Sequence, residues 1–145
     1  MKDLLIIWTD VNDTGISIID QQHRGIISAV NSLYFFMRHK QEKEMLASVI
    51  ATIEQYTKIH FATEEKLLKA AEYPDFDAHK KLHDGLTRRS ILVGNECKRN
   101  NDAYGYLMFL KDWWIDHINR HDRHYIEHLH NNSVINPATS AVTSD

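Results

Sequence analysis

Apolar residues recur along this chain three and four positions apart, no segment sustains an alternation of β-branched and polar residues, and glycine and proline are scarce. That period belongs to amphipathic helices and predicts an all-α protein. A first helix is expected from about Ile18 to His39, with Ile19, His23, Ile26, Ile27, Val30, Leu33, Tyr34 and Met37 on its inward stripe. A second, from about Gln41 to Glu72, turns Leu46, Val49, Ile50, Ile53, Tyr56, His60, Glu64, Leu67 and Leu68 inward and is stopped by Tyr73-Pro74-Asp75. The third starts near Phe76, with Asp75 or Asp77 placed to cap free amides, and passes through His79, Leu82, His83, Leu86, Val93 and Cys97 to Asn100 and Asn101. The fourth runs from near Asp102 to near His130 with Tyr106, Leu107, Leu110, Trp113, Trp114, His117 and Ile118 facing the core.

Long helices joined by short connections must reverse direction, which predicts an antiparallel up-down-up-down four-helix bundle. Asp10, Asn12, Asp13, Thr14 and Gly15 are turn formers, so residues 1–17 read as an irregular N-terminal arm, with Trp8 its anchor on the bundle. The bundle domain spans 1–131. Residues 132–145 are too poor in apolar side chains to pay for order and read as a flexible tail.

A chain of 145 residues with a formal charge of -3 suits one domain and carries no basic footprint for nucleic acid. The apolar run Leu4 to Trp8 is too short for a signal core or a membrane span, so a cytoplasmic location without membrane insertion is expected. One cysteine, Cys97, gives no internal disulfide and is expected as a buried, inert thiol. What changes the picture is ten histidines in so short a chain.

Positions four apart on a helix share a face, about 40° and about 6 Å from one another. His60 with Glu64, and His79 with His83, form two such pairs in phase with their apolar stripes, while His23 and His117 point inward from the first and fourth helices. A buried imidazole or carboxylate needs a partner, and a cation supplies one. Each signal alone has an ordinary reading, as a hydrogen-bonded core histidine or an intrahelical pair. Convergence from four helices on one interior points to a metal.

These residues resemble the bacterial hemerythrins. The family pattern is an aromatic-led arm, Asp-x-Gln-His, His-Phe-x-x-Glu-Glu, His-x-x-x-His and Trp-Leu-x-x-His-Ile-x-x-x-Asp. It is read here as Trp8, Asp20-Gln21-Gln22-His23, His60-Phe61-Ala62-Thr63-Glu64-Glu65, His79 with His83, and Trp113-Trp114-Ile115-Asp116-His117-Ile118 through Asp122. The resemblance covers about residues 8 to 125. It implies two non-heme iron ions joined by an oxo or hydroxo bridge: His79, His83 and His117 on one, His23 and His60 on the other, Glu64 and Asp122 bridging. The first iron is then six-coordinate and the second keeps a vacant position for dioxygen.

The implied function is reversible dioxygen binding for transport, storage, delivery or sensing, with no catalytic residues and with an unidentified protein as a further partner. A di-iron enzyme acting on peroxide or nitric oxide, or a metal-storage bundle, is the alternative. Four-carboxylate di-iron enzymes carry two Glu-x-x-His motifs, and only Glu127 with His130 fits here. The family's apolar oxygen pocket maps onto Ile26, Phe61, Trp113, Trp114 and Ile118; Trp114 stands where leucine is usual, so a narrowed pocket is expected. His117 and Asp122 are five apart, about 140° on a regular helix, and a π-bulge near 117–122 would bring both to one centre. His121, His124 and His128 read as a solvated helix end, and His39 and His130 as surface residues.

Overall fold

The computed structural model describes residues 3–113, 116–117 and 123–132. After a 3-10 turn at Asp10–Asn12 come α1 (Ser17–Arg38), α2 (Glu42–Ala70), α3 (Phe76–Asn100), α4 (Ala103–Trp113) and α5 (Arg123–Asn131). α1 and α3 each pack against both α2 and α4, and α5 returns to α2, so the helices close an antiparallel four-helix bundle. The described part of the fourth helix comprises α4, a π-helical turn holding Asp116 and His117, and α5. The residues between these pieces lie outside the described ones. Among the described residues no helix is long and apolar enough to cross a membrane.

The first three helices end in the same way. At Lys40, Glu72 and Asn101 the backbone turns left-handed, with φ of 56°, 52° and 51°. The amide of the following residue then reaches back to a carbonyl of the last turn: Gln41 N to Phe36 O at 2.8 Å, Tyr73 N to Leu68 O at 3.0 Å and Asp102 N to Cys97 O at 2.9 Å. Each is a Schellman closure that pairs carbonyls the helix leaves open. At the start of α3, Asp75 occupies the capping position but its side chain makes no cap hydrogen bond, contrary to expectation.

α1 buries the predicted stripe from Ile19 to Leu33, with Tyr34 and Met37 half-buried at its end. α2 departs at one position: Tyr56 is exposed and Thr57 is buried instead. The cause lies across the interface, where Gly25 leaves a bare patch on α1 that the Tyr56 ring covers; a Cβ there would collide with it. Asn31 of α1 fastens the start of the arm. Asn31 accepts from the amides of Leu5 and Ile6, both at 3.0 Å, and donates to the Ile6 carbonyl at 2.8 Å. Trp8 anchors the arm as expected, its indole donating to Asp13 at 3.0 Å under the Arg24 guanidinium.

The buried apolar residues fall into two clusters. The larger gathers Ile26, Val30, Leu33, Ile50, Ile53, Phe61, Leu107, Leu110 and Trp113 among others, and includes Cys97, whose thiol burial pushes upward in pKa. The smaller joins Ile16, Ile19, Leu68, Ala71, Tyr125 and Leu129. His23 lies between Ile19 and Ile26 on α1, and Glu64 between Phe61 and Leu68 on α2. A layer of ionisable side chains thus divides the core across its width, an expensive arrangement unless something pairs them.

Candidate metal centre

α2 builds the centre of the layer because His60 and Glu64, one turn apart, project from its fully buried face. Glu64 is 0 % exposed and its two oxygens divide the surroundings. Oε1 lies 2.7 Å from His60 Nε2 and accepts from the Tyr125 hydroxyl at 2.6 Å. Oε2 lies 3.0 Å from His83 Nε2 and 3.4 Å from His79 Nε2. From α1, His23 brings its Nε2 to 3.2 Å from that of His60.

Two groups result, each with ligand atoms within 4.8 Å of one another: His23, His60 and Glu64, and Glu64, His79 and His83. Glu64 belongs to both. His117 stands beside the second group, its ring 5.4 Å from His83 and 6.5 Å from His79. Asp122, the expected second bridging carboxylate, lies outside the described residues, as do Trp114 and Ile118 of the expected pocket.

The hydrogen bonds behind these rings decide which nitrogens carry protons. Thr63 donates to the Ile59 carbonyl at 3.0 Å, so its oxygen is left to accept from the Gln22 amide at 2.9 Å. That fixes Gln22 with its Oε1 toward His60 Nδ1 at 3.1 Å, making Nδ1 the donor. On α3, His83 Nδ1 likewise donates to Glu65 at 2.9 Å. In the neutral tautomers so selected, the Nε2 lone pairs of His60 and His83 point at a carboxylate oxygen and repel it. Three imidazoles therefore surround one carboxylate, which balances at most one proton. A cation on each side of Glu64 satisfies all of them, and neutral imidazole is the form that ligates. The spacings suit such ions, since ligands about 2.1 Å from a metal at right angles lie about 3 Å from one another.

The electrostatics agree. Burial, reinforced by neighbouring His60, lowers the pKa of His23 to about 3 against the opposing pull of Glu64. Burial likewise lowers His117 to about 3, with Glu64 pulling the other way. Without ions, protons must take their place: burial alone would raise Glu64, but a charge on His60 and the hydrogen bonds that Nε2–H of His60, His79 and His83 then donate outweigh it and hold the carboxyl well below the usual range. Two neutral imidazoles and a firm anion are thus kept inside the bundle.

Apolar groups close the layer on the larger cluster's side. Phe61 stacks on His83 at 3.8 Å between centroids and meets His117 edge-on at 5.2 Å. Trp113 stacks over His117 at 5.8 Å, and Ile26 is buried in the same cluster. Reading the sequence alone gave no role to Gln22, Glu65, Thr63 or Tyr125. Gln22 and Glu65 each adjoin a predicted ligand and fill positions of the Asp-x-Gln-His and His-Phe-x-x-Glu-Glu motifs, which is the available signal. Tyr125 is 61 positions from Glu64 and had none.

A four-helix bundle crossed by buried histidines that converge on one carboxylate defines a class, the helical proteins with an intrahelical-bundle cation site. Comparison with known proteins narrows it. The hemerythrin HHE cation binding domain matches residues 14–129, and the chain belongs to the hemerythrin family. It is 33 % identical over 126 residues to a bacteriohemerythrin of Stenotrophomonas maltophilia, covering 86 % of this chain and 82 % of that protein. To a bacteriohemerythrin of Pseudomonas aeruginosa it is 34 % identical, covering 84 % of this chain and 80 % of the relative. A crystal structure of a hemerythrin mutant superposes with a TM-score of 0.74 at 26 % identity, over 87 % of this chain and 98 % of the other.

Proposed function

We propose that the protein binds dioxygen reversibly at a di-iron centre and acts as a carrier, store, delivery protein or sensor of the gas rather than as an enzyme. The observation that carries the reading is the position of Glu64 in both ligand groups, which is what a carboxylate bridging two ions requires. His23 and His60 would hold one iron, His79, His83 and His117 the other, with Glu64 and Asp122 between them. Two ferrous ions would supply a pair of electrons to dioxygen on binding and recover them on release.

The chain's own residues set the conditions for that exchange. Gln22 and Glu65 hold His60 and His83 in the ligating tautomer, so no reorganisation is needed when ions bind. Depressed pKa values keep His23 and His117 neutral and available at physiological pH. Tyr125 donates to Glu64 Oε1 and withdraws charge from one end of the shared carboxylate. Phe61, Trp113 and Ile26, with Trp114 and Ile118 as the further expected members, exclude water from the ligand position, and water would otherwise deliver protons that drive autoxidation.

The experiment is to reconstitute the protein with ferrous iron under argon, admit air, and return it to argon while recording the near-ultraviolet and visible spectrum. A charge-transfer spectrum that appears in air and disappears in argon over repeated cycles is expected. Irreversible oxidation in the first cycle, or steady turnover of peroxide or nitric oxide by the same sample, would overturn the reading.

A further inference from the structure

Three openings in the surface reach the histidine layer; all have carboxylates in their walls, and they differ in whether a cationic side chain stands among them and in what forms the floor. One of about 570 Å³ between α2 and α3 ends on Phe61 and His83 and has Glu54, Glu65 and Asp84 in its wall together with Lys58. Another of about 230 Å³ between α3 and α4 ends on Trp113 and His117 and has Asp112 and Asp116 in its wall together with Arg89. The third, of about 730 Å³, lies between the Tyr73-Pro74-Asp75 corner, the first turns of α3 and the outer face of α5. It is walled by Asp75, His124, Glu127 and His128, no lysine or arginine among its described residues, and it ends on His79.

We propose that this third cleft is the path along which ferrous iron is passed to the buried cluster and withdrawn from it. The proposal rests on the metal-centre reading above. His79 is the outermost imidazole of the cluster, with 8 % of its side chain exposed against 1 % or less for His60 and His83. It also has the longest contact to Glu64, 3.4 Å, so it is the ring best placed to turn outward, take an ion and carry it in.

A hydrated divalent ion sheds its waters stepwise as carboxylate and imidazole replace them. Asp75, His124 and Glu127 are exposed and supply those groups at the mouth. His128 is held by its hydrogen bond to the Ala71 carbonyl at 2.8 Å and shapes the wall instead. Among the described residues the three-ligand groups are both in the buried layer, so the cleft side chains meet an ion singly or in pairs. That suits passage, because a complete site at the mouth would retain the metal. The α2 and α3 opening also holds carboxylates, but its Glu65 is engaged by His83 and Lys80, and at its floor Phe61 stacks on His83 and lays hydrocarbon over that ring, a barrier to an ion.

The test follows iron under argon in two directions, uptake by the metal-free protein at limiting ferrous ion and extraction from the loaded protein by a ferrous chelator. The triple variant Asp75→Asn, His124→Ala, Glu127→Gln and the single variant Ala78→Lys, which puts a cation at the mouth, should each slow both rates at least about tenfold. The final iron content should equal that of the wild type. Glu54→Lys, in the α2 and α3 opening, should leave both rates unaltered. The path is wrong if the triple and Ala78→Lys proteins load and release iron within about twofold of wild type, or if Glu54→Lys slows them as much. Failure of the wild-type protein to take up iron at all would instead overturn the metal-centre reading on which the path rests.

Discussion

At the scale of single residues, the ligating atoms matter less for precision than the groups behind them. His60 and His83 are held by Gln22 and Glu65 through their Nδ1 atoms, and without those acceptors either ring could adopt the tautomer that presents N–H to the centre. Gln22→Leu and Glu65→Ala should each weaken iron binding by about 10- to 100-fold, measured by chelator competition, with little change in helicity. Unchanged affinity in both would show that packing alone orients the rings. The buried histidines and Glu64 are legible in the sequence because a histidine or carboxylate in phase with an apolar stripe breaks the stripe's chemistry without breaking its period. The supporting shell is not. Gln22 and Glu65 stand in the motifs beside His23 and Glu64, but their hydrogen bonds to His60 and His83 depend on how the helices pack, and Tyr125 meets Glu64 only through the fold.

At the scale of elements, the helices themselves are readable from periodicity, and all four begin within a residue of where the pattern puts them. The corners are less so. Asn101 tolerates a left-handed backbone, but Lys40 and Glu72 take it up at a steric cost because the carbonyls of α1 and α2 need the closure. Lys40→Gly and Glu72→Gly should therefore each stabilise the protein by about 0.5–1 kcal/mol in urea unfolding, the reverse of glycine's usual effect near a helix. A loss of stability would mean that these side chains contribute more than their backbone strain removes. The misplacement of Tyr56 has a similar origin: its exposure depends on Gly25 of another helix, and one helix's pattern carries no record of its neighbour's surface. The π-helical turn at Asp116 and His117 meets, at its first residue, the span 117–122 where the five-residue spacing to Asp122 puts a π-bulge; residues 118–122 lie outside the described ones.

At the scale of the whole molecule, the divided core makes stability depend on pH in a direction that follows from its histidines. In the metal-free protein, His23 and His117 have folded pKa values of about 3, below the ordinary 6.5 of the unfolded chain. The unfolded chain therefore binds more protons as pH falls through this window. Stability is complete above about pH 6.5 and declines toward pH 3, by up to about 1.4 kcal/mol per pH unit for each histidine. Glu64, held below its usual pKa, adds a loss of the same sign at the acid end. Urea midpoints of the apoprotein should fall steadily from pH 7 to pH 4.5, and a flat profile would contradict the burial of neutral imidazoles. Iron should offset the loss while it remains bound, since it binds the folded chain and spares the rings from protonation.

The central claim is that one carboxylate is shared by two ions, and the most direct test is a ferrous titration of the metal-free protein under argon, wild type beside Glu64→Ala. The wild type should saturate at two irons per chain, and the variant, deprived of the ligand common to both groups, should retain neither tightly. A wild type that saturates at one or none, or a Glu64→Ala protein that still fills two sites, would contradict the account.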